Sequence, residues 1–396
     1  MALGAAQAPP RVAQEVARVE LAAVGDILMH QDVKKSATLA PGGLAELWRE
    51  VTPLFRKADI AFANLETPVA PRTGRPGVPF QFNAPPELPA ALKASGLTVL
   101  ATANNHAFDQ GAKGLQETLE RLREAGLTAV GSGATRAEAE EARILEVNGL
   151  RIAFLGFTDI FNMNLNQKAD RPWVRALDPA AAVQAVRAAR TKADAVVVSI
   201  HWGAEYLHTP LARQKEVARR LAEAGADLIL GHHPHVLQPV DVLETGGRRA
   251  VVAYSLGNFI SNQDRMYRAD LFPVAGGDSR DGVLFTCRFV KLRLPDGTEQ
   301  VRVENVLCDP LWTRNNWREA RNGAPRAIRV VPLSTALAQA EGDLDALLAQ
   351  DPVNRAKVLE QQEVLRTLNL RRARAGAILG PAFVEGPDPV RGAEGN

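Results

Sequence analysis

Histidine, aspartate, glutamate and asparagine follow the ends of apolar runs in this sequence, where they could bind a metal ion together. Of the 7 histidines in the chain, six stand at or shortly after such an end: His106, His201, His208, His232, His233 and His235. Asp26, Glu66 and Asn105 end similar runs. Imidazole is the commonest ligand of zinc and related ions, and carboxylate and amide oxygens add harder ligands. The pattern predicts a divalent metal site.

The strongest single motif is Gly231-His232-His233-Pro234-His235. Two histidines separated by one residue at the end of a strand can direct both rings at one ion or at two neighbouring ions. The glycine allows the backbone to approach closely, and three adjacent core histidines would each need a polar partner. His233 and His235 are therefore predicted ligands, and His232 is a candidate substrate contact.

The earlier motifs supply oxygen atoms and an imidazole. Asp26 offers an anionic oxygen, and Glu66 offers a second that could bridge two cations. Asn105 offers an amide oxygen, and His106 could protonate a leaving group or stabilise negative charge, with Asp109 orienting its ring. Taken singly, these residues could instead be helix caps or members of an Asn-rich turn.

Further candidates for contacting substrate flank the predicted ligands. Segment 71–86 carries Arg72 and Arg75, which could present cations to an anionic substrate. A plain surface loop fits the same residues. Asn104 precedes one ligand, and Trp202 follows another and either shelters the site or packs in the core.

Six apolar runs read as buried strands that must position these residues. The runs are 21–24, 60–63, 97–102, 195–200, 228–230 and 251–254. In parallel sheets, ligands gather beyond the carboxyl ends of the strands. The helical pattern of 209–226 between two runs predicts a right-handed crossover, which would set His201 beside the histidines that follow 228–230.

Composition narrows the class of protein. A net charge of +2, from 47 basic and 45 acidic residues, gives no basic face for nucleic acid, so that class of partner is excluded. The sequence contains no run of about 18 apolar residues, which is the length that a helix needs to span a bilayer. Residues 2–9 resemble the end of a secretory signal, with an ordinary frayed terminus as the alternative. Cys287 and Cys308 could form a cross-strand disulfide or remain two buried thiols.

The sequence divides into three regions. Residues 1–18 read as a leader or flexible N-terminus, and residues 19–310 carry the strand and helix patterns with every candidate ligand. Residues 311–396 read as a helical extension with a loose tail. The arginines within 371–374 could meet a membrane or an acidic partner, but their charge pattern favours a solvated helix end.

The ordered set of motifs resembles one known family. The motifs are Gly25-Asp26, Asn64-Leu65-Glu66, Asn104-Asn105-His106, His201-Trp202-Gly203, Gly231-His232-His233-Pro234-His235 and Ser255-Leu256-Gly257-Asn258-Phe259. Over residues 19–310 the chain resembles the CapA/PgsA capsule-synthesis proteins of the calcineurin-like metallophosphoesterase superfamily. The resemblance implies an α/β four-layer sandwich, in which two mixed β-sheets are flanked by helices, with a two-metal site at one edge. The helical extension would be a C-terminal appendage to it.

The resemblance also implies a role for each motif residue. One or two divalent ions (Mn, Zn, Fe or Mg) would be bound, the first by Asp26 and His235, both by a bridging Glu66, and the second by Asn105, His201 and His233. His106 would stabilise charge. Leu28 departs from the superfamily pattern, which has a metal-binding histidine two residues after the aspartate. His30 could compensate, because alternate residues of a strand share a face.

The leading hypothesis is a metal-dependent hydrolase of the phosphoesterase type in poly-γ-glutamate or capsule synthesis, where the capsule link rests on the resemblance alone. Its substrate would be an anionic polymer or a phosphorylated small molecule. An amide or γ-glutamyl hydrolase is an alternative, since Lewis acids also polarise carbonyls. A second class is a non-catalytic subunit that binds anionic polymer in an envelope complex for capsule synthesis or export, which Leu28 favours. The resemblance implies an extracytoplasmic or membrane-associated location in bacteria.

Overall fold

The computed structural model describes residues 13–350 and 352–384. Its strands are β1 (Gln14–Ile27), β2 (Ile60–Leu65), β3 (Val99–Ala101), β4 (Thr128–Val130), β5 (Ser132–Gly133), β6 (Arg143–Val147), β7 (Leu150–Thr158), β8 (Trp173–Val174), β9 (Ala195–His201), β10 (Leu228–His232), β11 (Val240–Thr245), β12 (Arg248–Ala253), β13 (Asn258–Ile260), β14 (Asp281–Arg293), β15 (Glu299–Asn315) and β16 (Ile328–Pro332). Its helices are α1 (Gln31–Leu39), α2 (Thr52–Phe55), α3 (Leu88–Ser95), α4 (Gly111–Glu124), α5 (Arg136–Glu140), α6 (Pro179–Arg190), α7 (Ala212–Ala224), α8 (Trp317–Arg321), α9 (Leu333–Leu348), α10 (Arg355–Leu379) and α11 (Pro381–Val384), with 3₁₀ turns at Gly43–Trp48 and Val274–Arg280. Within these ranges, every helix is too short or too polar to cross a lipid bilayer.

Two mixed sheets form the centre of the molecule. The first has 8 strands in the order β16-β15-β14-β1-β2-β3-β4, with β13 paired to β1. Strands β1 to β4 are parallel to one another, whereas β14 pairs antiparallel with β1. The second sheet has 6 strands in the order β11-β12-β10-β9-β7-β6, with a parallel centre. β5 and β8 form a separate pair.

Alternation along β1 assigns its side chains to two cores. Leu21 and Ala23 belong to the core between the sheets, where Phe62 of β2 stacks on Phe154 of β7 at 6.3 Å between ring centroids. Ala22 belongs instead to the core beneath the first helices. Because successive side chains of a strand point to opposite faces, one strand contributes to both layers.

Helices cover the outer face of each sheet. The 3₁₀ turn Gly43–Trp48 and α3 pack on the first sheet through Trp48 and Leu92. α6 and α7 pack on the second sheet through Val186 and Leu221. The resulting order of helix, sheet, sheet and helix confirms the predicted α/β four-layer sandwich. The predicted crossover is also present, because α7 connects β9 to its parallel neighbour β10.

The strands extend past both expected region boundaries. β1 begins at Gln14, so the boundary at residue 18 falls inside a strand, while residues 1–12 of the expected leader lie outside the described residues. The boundary at residue 310 falls inside β15. α10 reaches the core between the sheets through Ala375 and Leu379. Residues 385–396 of the expected tail lie outside the described residues.

The arginine cluster of α10 differs from the expected solvated helix end. Arg371 is fully buried; its Nε donates to Asp281 Oδ1 at 2.9 Å and its Nη2 to Asp278 Oδ1 at 2.7 Å. Arg374 also donates to Asp278, at 2.9 Å, whereas Arg372 is exposed. The prediction is therefore wrong for Arg371, because a local charge pattern does not reveal acidic partners far away in the sequence.

Cys287 of β14 and Cys308 of β15 are both buried and free. Although the two strands are neighbours, the residue opposite Cys308 is Phe285. Burial raises the pKa of the Cys308 thiol to about 12. Of the two alternatives that the sequence left open, the structure contains the pair of buried thiols.

Candidate metal centre

The carboxyl ends of the parallel strands bring the predicted ligands to one place. Asp26 is the next-to-last residue of β1, Glu66 follows β2, and Asn105 lies in the turn after β3. The other three end or follow strands of the second sheet: His201, His233 and His235. Each of the six is at most 5% exposed. The ends of both sheets therefore line one buried site.

Two glycines permit the close approach of the strands that carry these residues. A Cβ atom on Gly231 would lie 1.9 Å from the Tyr254 carbonyl oxygen, and one on Gly25 would lie 1.8 Å from the Gly257 carbonyl oxygen. Any side chain at either position would force the backbones apart. The predicted role of Gly231 is confirmed.

Glu66 lies at the middle of the site without a hydrogen bond. Both of its carboxylate oxygens are buried and unpartnered. Its Oε1 is 3.6 Å from His201 Nε2, 3.8 Å from His235 Nε2 and 4.0 Å from His106 Nε2. These separations are too long for hydrogen bonds. They match pairs of ligand atoms that each lie about 2 Å from a shared ion.

One group of ligand atoms surrounds His201. His233 Nδ1 is 3.1 Å from His201 Nε2, and Asn105 Oδ1 is 2.8 Å from the same nitrogen. With Glu66, the ligand atoms of the two histidines all lie within 4.8 Å of one another. Burial lowers the pKa of His201 well below its ordinary value and that of His233 to about 4. Both rings are thus held neutral, the form that binds metals.

The other group consists of Asp26, Glu66 and His235, whose ligand atoms also lie within 4.8 Å of one another. Asp26 Oδ2 is 3.2 Å from His235 Nδ1, and Asn64 Nδ2 donates to Asp26 Oδ1 at 2.8 Å. Burial by itself would raise the pKa of Asp26, but contacts with His232 and His235 outweigh it and hold the pKa well below its ordinary value. Because both groups include Glu66, this carboxylate has the position that a bridging ligand requires.

These residues fit a divalent cation. Burial, and next the charge of Asp26, raise the pKa of Glu66 well above its ordinary value. A cation beside the carboxylate would have the opposite effect and would stabilise its charged form. An ionised carboxylate without a partner is costly to bury, whereas imidazole nitrogens and carboxylate oxygens together suit several divalent metals. The site can therefore hold one or two ions.

His106 lies beside the centre, and Asp109 contacts its ring on the side away from Glu66. Its Nδ1 is 2.8 Å from Asp109 Oδ2, which also accepts from the Phe82 backbone N–H at 2.6 Å. The rings of His106 and Phe82 lie 4.6 Å apart between centroids. The structure thus places Asp109 where the sequence suggested a group that orients His106, and leaves Nε2 to face Glu66.

The position two residues after Asp26 holds Leu28, which is 1% exposed. His30 does not replace the missing imidazole: its Nδ1 accepts from the Asn262 backbone N–H at 3.2 Å. Among the described residues, His30 belongs to none of the groups with the spacing of metal ligands. The suggestion that His30 compensates for Leu28 is therefore wrong, because β1 ends at Ile27 and His30 is the N-cap residue of α1, so the two positions do not share a strand face.

Three of the expected substrate contacts lie in the interior instead. His232 and Asn104 have no exposed surface, and Trp202 is 1% exposed. Trp202 Nε1 donates to the Tyr254 carbonyl at 3.0 Å, and Asn104 Nδ2 donates to the Leu65 carbonyl at 2.8 Å. These side chains support the segments that carry the ligands and present no surface to a substrate.

The two expected arginine contacts differ from each other. Arg72 pairs with Glu117 at 3.1 Å and with Glu120 at 2.9 Å, so its charge is directed at α4. Arg75 is exposed, and its backbone N–H donates to Gln110 Oε1 at 2.7 Å. Arg72 is therefore paired with α4, whereas Arg75 remains a predicted substrate contact.

Three asparagines contribute to the site although the sequence did not single them out as site residues. Asn64 bonds to Asp26, as described above, and Asn258 Oδ1 is 3.1 Å from His235 Nδ1. Asn162 Oδ1 accepts from Asn105 Nδ2 at 3.3 Å. Asn64 and Asn258 lie within the strand-end motifs, so their position was a usable signal. Asn162 lies in a loop after β7 and carries no such signal.

Comparisons with known proteins agree with the motifs. The profile described as "Bacterial capsule synthesis protein PGA_cap" matches residues 20–263. The PGA biosynthesis protein CapA of Bacillus subtilis (strain 168) is 37% identical over 243 residues, which cover 61% of this chain and 62% of that protein. The capsule biosynthesis protein CapA of Bacillus anthracis is 36% identical over 258 residues, which cover 63% of this chain and 61% of that protein. The chain thus spans about three fifths of the length of these curated relatives.

Similarity to solved structures is weaker than similarity to the family. A 5'-nucleotidase precursor from Thermus thermophilus has a TM-score of 0.40 and 15% identity, over 73% of this chain and 54% of that chain. Similarity this low supports no conclusion about chemistry. The family profile, in contrast, covers more than half of the sequence and includes every strand-end ligand. The chain belongs to the bacterial capsule synthesis protein family PGA_cap.

Proposed function

We propose that this protein is a metal-dependent hydrolase of the phosphoesterase type that acts in capsule or poly-γ-glutamate synthesis. The observation that carries the proposal is Glu66, a buried carboxylate without a hydrogen bond that belongs to two groups of ligand atoms. Family membership and the names of the relatives support the role in capsule synthesis. The substrate is then an anionic polymer or a phosphorylated small molecule.

Different side chains would bind the metal ions and transfer the proton. The two groups that share Glu66 would hold the ions, and divalent cations, when bound, supply Lewis-acid polarisation of a phosphoryl oxygen. Asp109 holds His106 by Nδ1, so Nε2 faces the centre. From there the ring can give a proton to a leaving group or donate a hydrogen bond to developing negative charge. Arg75, on the exposed loop, can attract an anionic substrate.

Leu28 favours a second candidate function. With an apolar side chain where an imidazole is expected, the ions could serve the structure of a subunit that binds anionic polymer without cleaving it.

The same groups would also polarise a carbonyl, so cleavage of an amide or γ-glutamyl bond uses no other residues. In either case, we place the protein with a capsule synthesis or export complex of the bacterial envelope, extracytoplasmic or membrane-associated; the names of its relatives support the role in capsule synthesis alone.

Turnover assays on the purified protein separate these candidates. Phosphomonoesters, phosphodiesters and γ-glutamyl polymers are incubated with protein loaded with Mn²⁺ or Zn²⁺, and metal content is measured on the same samples. We expect hydrolysis of a phosphoester that is abolished by His106→Ala and by Asp26→Ala. Glu124→Gln, an exposed position at the end of α4, is the matched control and should retain full activity.

The outcomes have different meanings. Metal-loaded protein that cleaves none of the three substrate classes contradicts the proposed catalysis. Binding of poly-γ-glutamate that survives both alanine substitutions would then support the binding subunit. Cleavage of the γ-glutamyl polymer alone would support the amide hydrolase.

A further inference from the structure

An exposed carboxylate lies beside the buried histidines of the centre. Glu205 belongs to the segment between β9 and α7, and it was not among the residues that the sequence motifs suggested. One of its oxygens and one ring nitrogen each of His233 and His235 lie within 4.8 Å of one another. Glu205 is exposed, whereas both histidines are buried. It therefore faces the centre from the solvent side, while Glu66 faces it from the interior.

The backbone holds Glu205 in this place. The N–H of the next residue, Tyr206, donates to the Pro234 carbonyl at 2.8 Å, between the two histidines. Tyr206 has a φ of 63°, His233 a φ of 96° and His235 a φ of 59°. Non-glycine residues rarely adopt this left-handed conformation, and it persists where the surrounding structure enforces it. The two facing segments are thus both constrained, and the contact between them is built into the fold.

The number of ligands gives Glu205 a role. The group around His201 has Glu66, His233 and the Asn105 amide oxygen as further donors. The group with Asp26 and His235 has lost the donor expected at Leu28. Glu205 shares His235 with this group and His233 with the other, so it is placed to add a donor on the exposed side of His235. Divalent metals with nitrogen and oxygen ligands take four or more donors.

We propose that Glu205 is a metal ligand on the solvent side of the centre, where it supplies the donor that Leu28 lacks. The inference rests on the proposed metal-dependent function and extends it to a residue outside the expected ligand set. It accounts for an exposed carboxylate placed against two buried imidazoles, a set of oxygen and nitrogen donors that suits a divalent cation. It also explains how a site without the usual histidine could retain two ions.

Metal titration of the chelator-treated protein tests this proposal without any substrate. Mn²⁺ and Zn²⁺ are titrated into wild type, Glu205→Gln and the exposed control Glu124→Gln by calorimetry, and the number of bound ions is measured after gel filtration. We expect Glu205→Gln to bind at least one ion about 10-fold or more weakly, because even residues that only support a ligand have effects of this size. Glu124→Gln should match wild type.

Two further measurements distinguish loss of a metal ligand from a general loss of stability. In chelator, Glu205→Gln should have the same thermal midpoint as wild type, since the side chain is exposed. In the cobalt-loaded proteins, the visible absorption bands should differ between wild type and Glu205→Gln, because they report the coordination geometry. Equal affinities and equal spectra would overturn the assignment of Glu205 while leaving the proposed function in place. A wild-type protein that binds no divalent ion would overturn both.

Discussion

At the scale of single residues, the site is defined by side chains whose interactions are incomplete. Glu66 has both oxygens buried and unpartnered, and Asn104 Oδ1 and His232 Nε2 are in the same condition. Buried polar groups in native proteins are nearly always hydrogen-bonded. Tyr267 Oη and Arg326 Nε, elsewhere in the fold, are also buried without a partner, but Glu66 is the carboxylate in this condition among the described residues, and a buried carboxylate without a partner indicates a missing cation.

Removal of divalent metal is therefore expected to destabilise the protein. A chelator should lower the thermal midpoint of wild type, because ligands that bind only the folded state stabilise it and Glu66 loses its partner without them. In Glu66→Gln the difference between metal-loaded and chelated protein should be smaller, since the amide needs no counter-charge. Scanning calorimetry with and without chelator measures both differences. An equal difference in wild type and Glu66→Gln would contradict this account of the site.

At the scale of elements, α4 anchors the loop that lies over the site. Glu117 of α4 is almost fully buried and accepts from the N–H and hydroxyl of Thr73, each at 2.8 Å, and from Arg72 Nε at 3.1 Å. Burial by itself would raise the pKa of Glu117, but these hydrogen bonds outweigh it and lower the pKa from 4.5 to about 2. The ionised carboxylate thus ties segment 71–86 to the helix.

This anchor predicts a defined dependence of stability on pH. Because the pKa of Glu117 is depressed in the folded state, its contribution is complete above pH 4.5 and is lost as the pH falls from 4.5 to about 2. Glu117→Gln should lower the free energy of unfolding at pH 7 by at most roughly 3 kcal/mol. The difference in free energy of unfolding between variant and wild type should become smaller as the pH falls through that window. Urea unfolding at several pH values measures it, and a difference that does not change with pH would show that the charge is unimportant.

α10 packs against the segment 278–281, which contacts the residue that supports the predicted ligand His235. Arg371 is buried against Asp278 and Asp281, and the neighbouring Ser279 carbonyl accepts from Asn258 Nδ2 at 2.8 Å. Asn258 in turn contacts His235. The extension is thus connected to the metal centre through a short chain of polar contacts, although it lies beyond the part of the sequence that matches the family.

Arg371→Met is expected to be strongly destabilising. It leaves Asp281 buried without its ion-pair partner and removes one of the partners of Asp278, and breaking a buried ion pair in this way costs about 3 to 5 kcal/mol. Arg372→Met, at the exposed neighbouring position, should change the free energy of unfolding by less than about 0.5 kcal/mol. Chemical denaturation of both variants beside wild type makes the comparison. Similar stabilities of the two variants would mean that the buried network contributes nothing.

At the scale of the whole molecule, the region that matches the family lacks strands that complete its first sheet. All candidate ligands lie within residues 20–263, but β14 is the direct neighbour of β1 in the first sheet. β14 also adds Phe285 and Phe289 to the core between the sheets. The strand that carries Asp26 is therefore central only when the later strands are present.

A fragment of residues 13–263 is accordingly expected not to fold. Without β14, strand β1 becomes an unprotected edge and the core between the sheets loses large buried side chains. Circular dichroism during heating should show no cooperative transition, and limited proteolysis should degrade the fragment quickly, whereas the full chain resists. Cooperative unfolding of the fragment would show that the later strands are an addition to a self-sufficient core.

The patterns of the sequence predicted buried strands with candidate ligands at their carboxyl ends, for a simple physical reason, while the arrangement of two sheets in layers came from the family resemblance. Apolar runs such as 195–200 show where buried strands lie, and parallel strands bring their carboxyl ends to one edge. Polar residues at the ends of neighbouring strands of one sheet, such as His201 and His233, were therefore expected to meet, whereas the approach of Asp26 to them depends on how the two sheets pack. The prediction within one sheet uses only local patterns and strand geometry, whereas the four-layer sandwich, which the structure confirms, was implied by the family resemblance.

Only the tertiary structure decided which side chains are buried and what surrounds them. Arg371 reads as a solvated charge in its helix, and Trp202 as a possible cover of the site, but both are in the interior. Glu205 carries no local signal, yet it lies against two histidines that follow the next strand. These environments depend on contacts between segments distant in sequence, whose positions follow from the packing of the whole fold and are not encoded in the periodicity of any one segment.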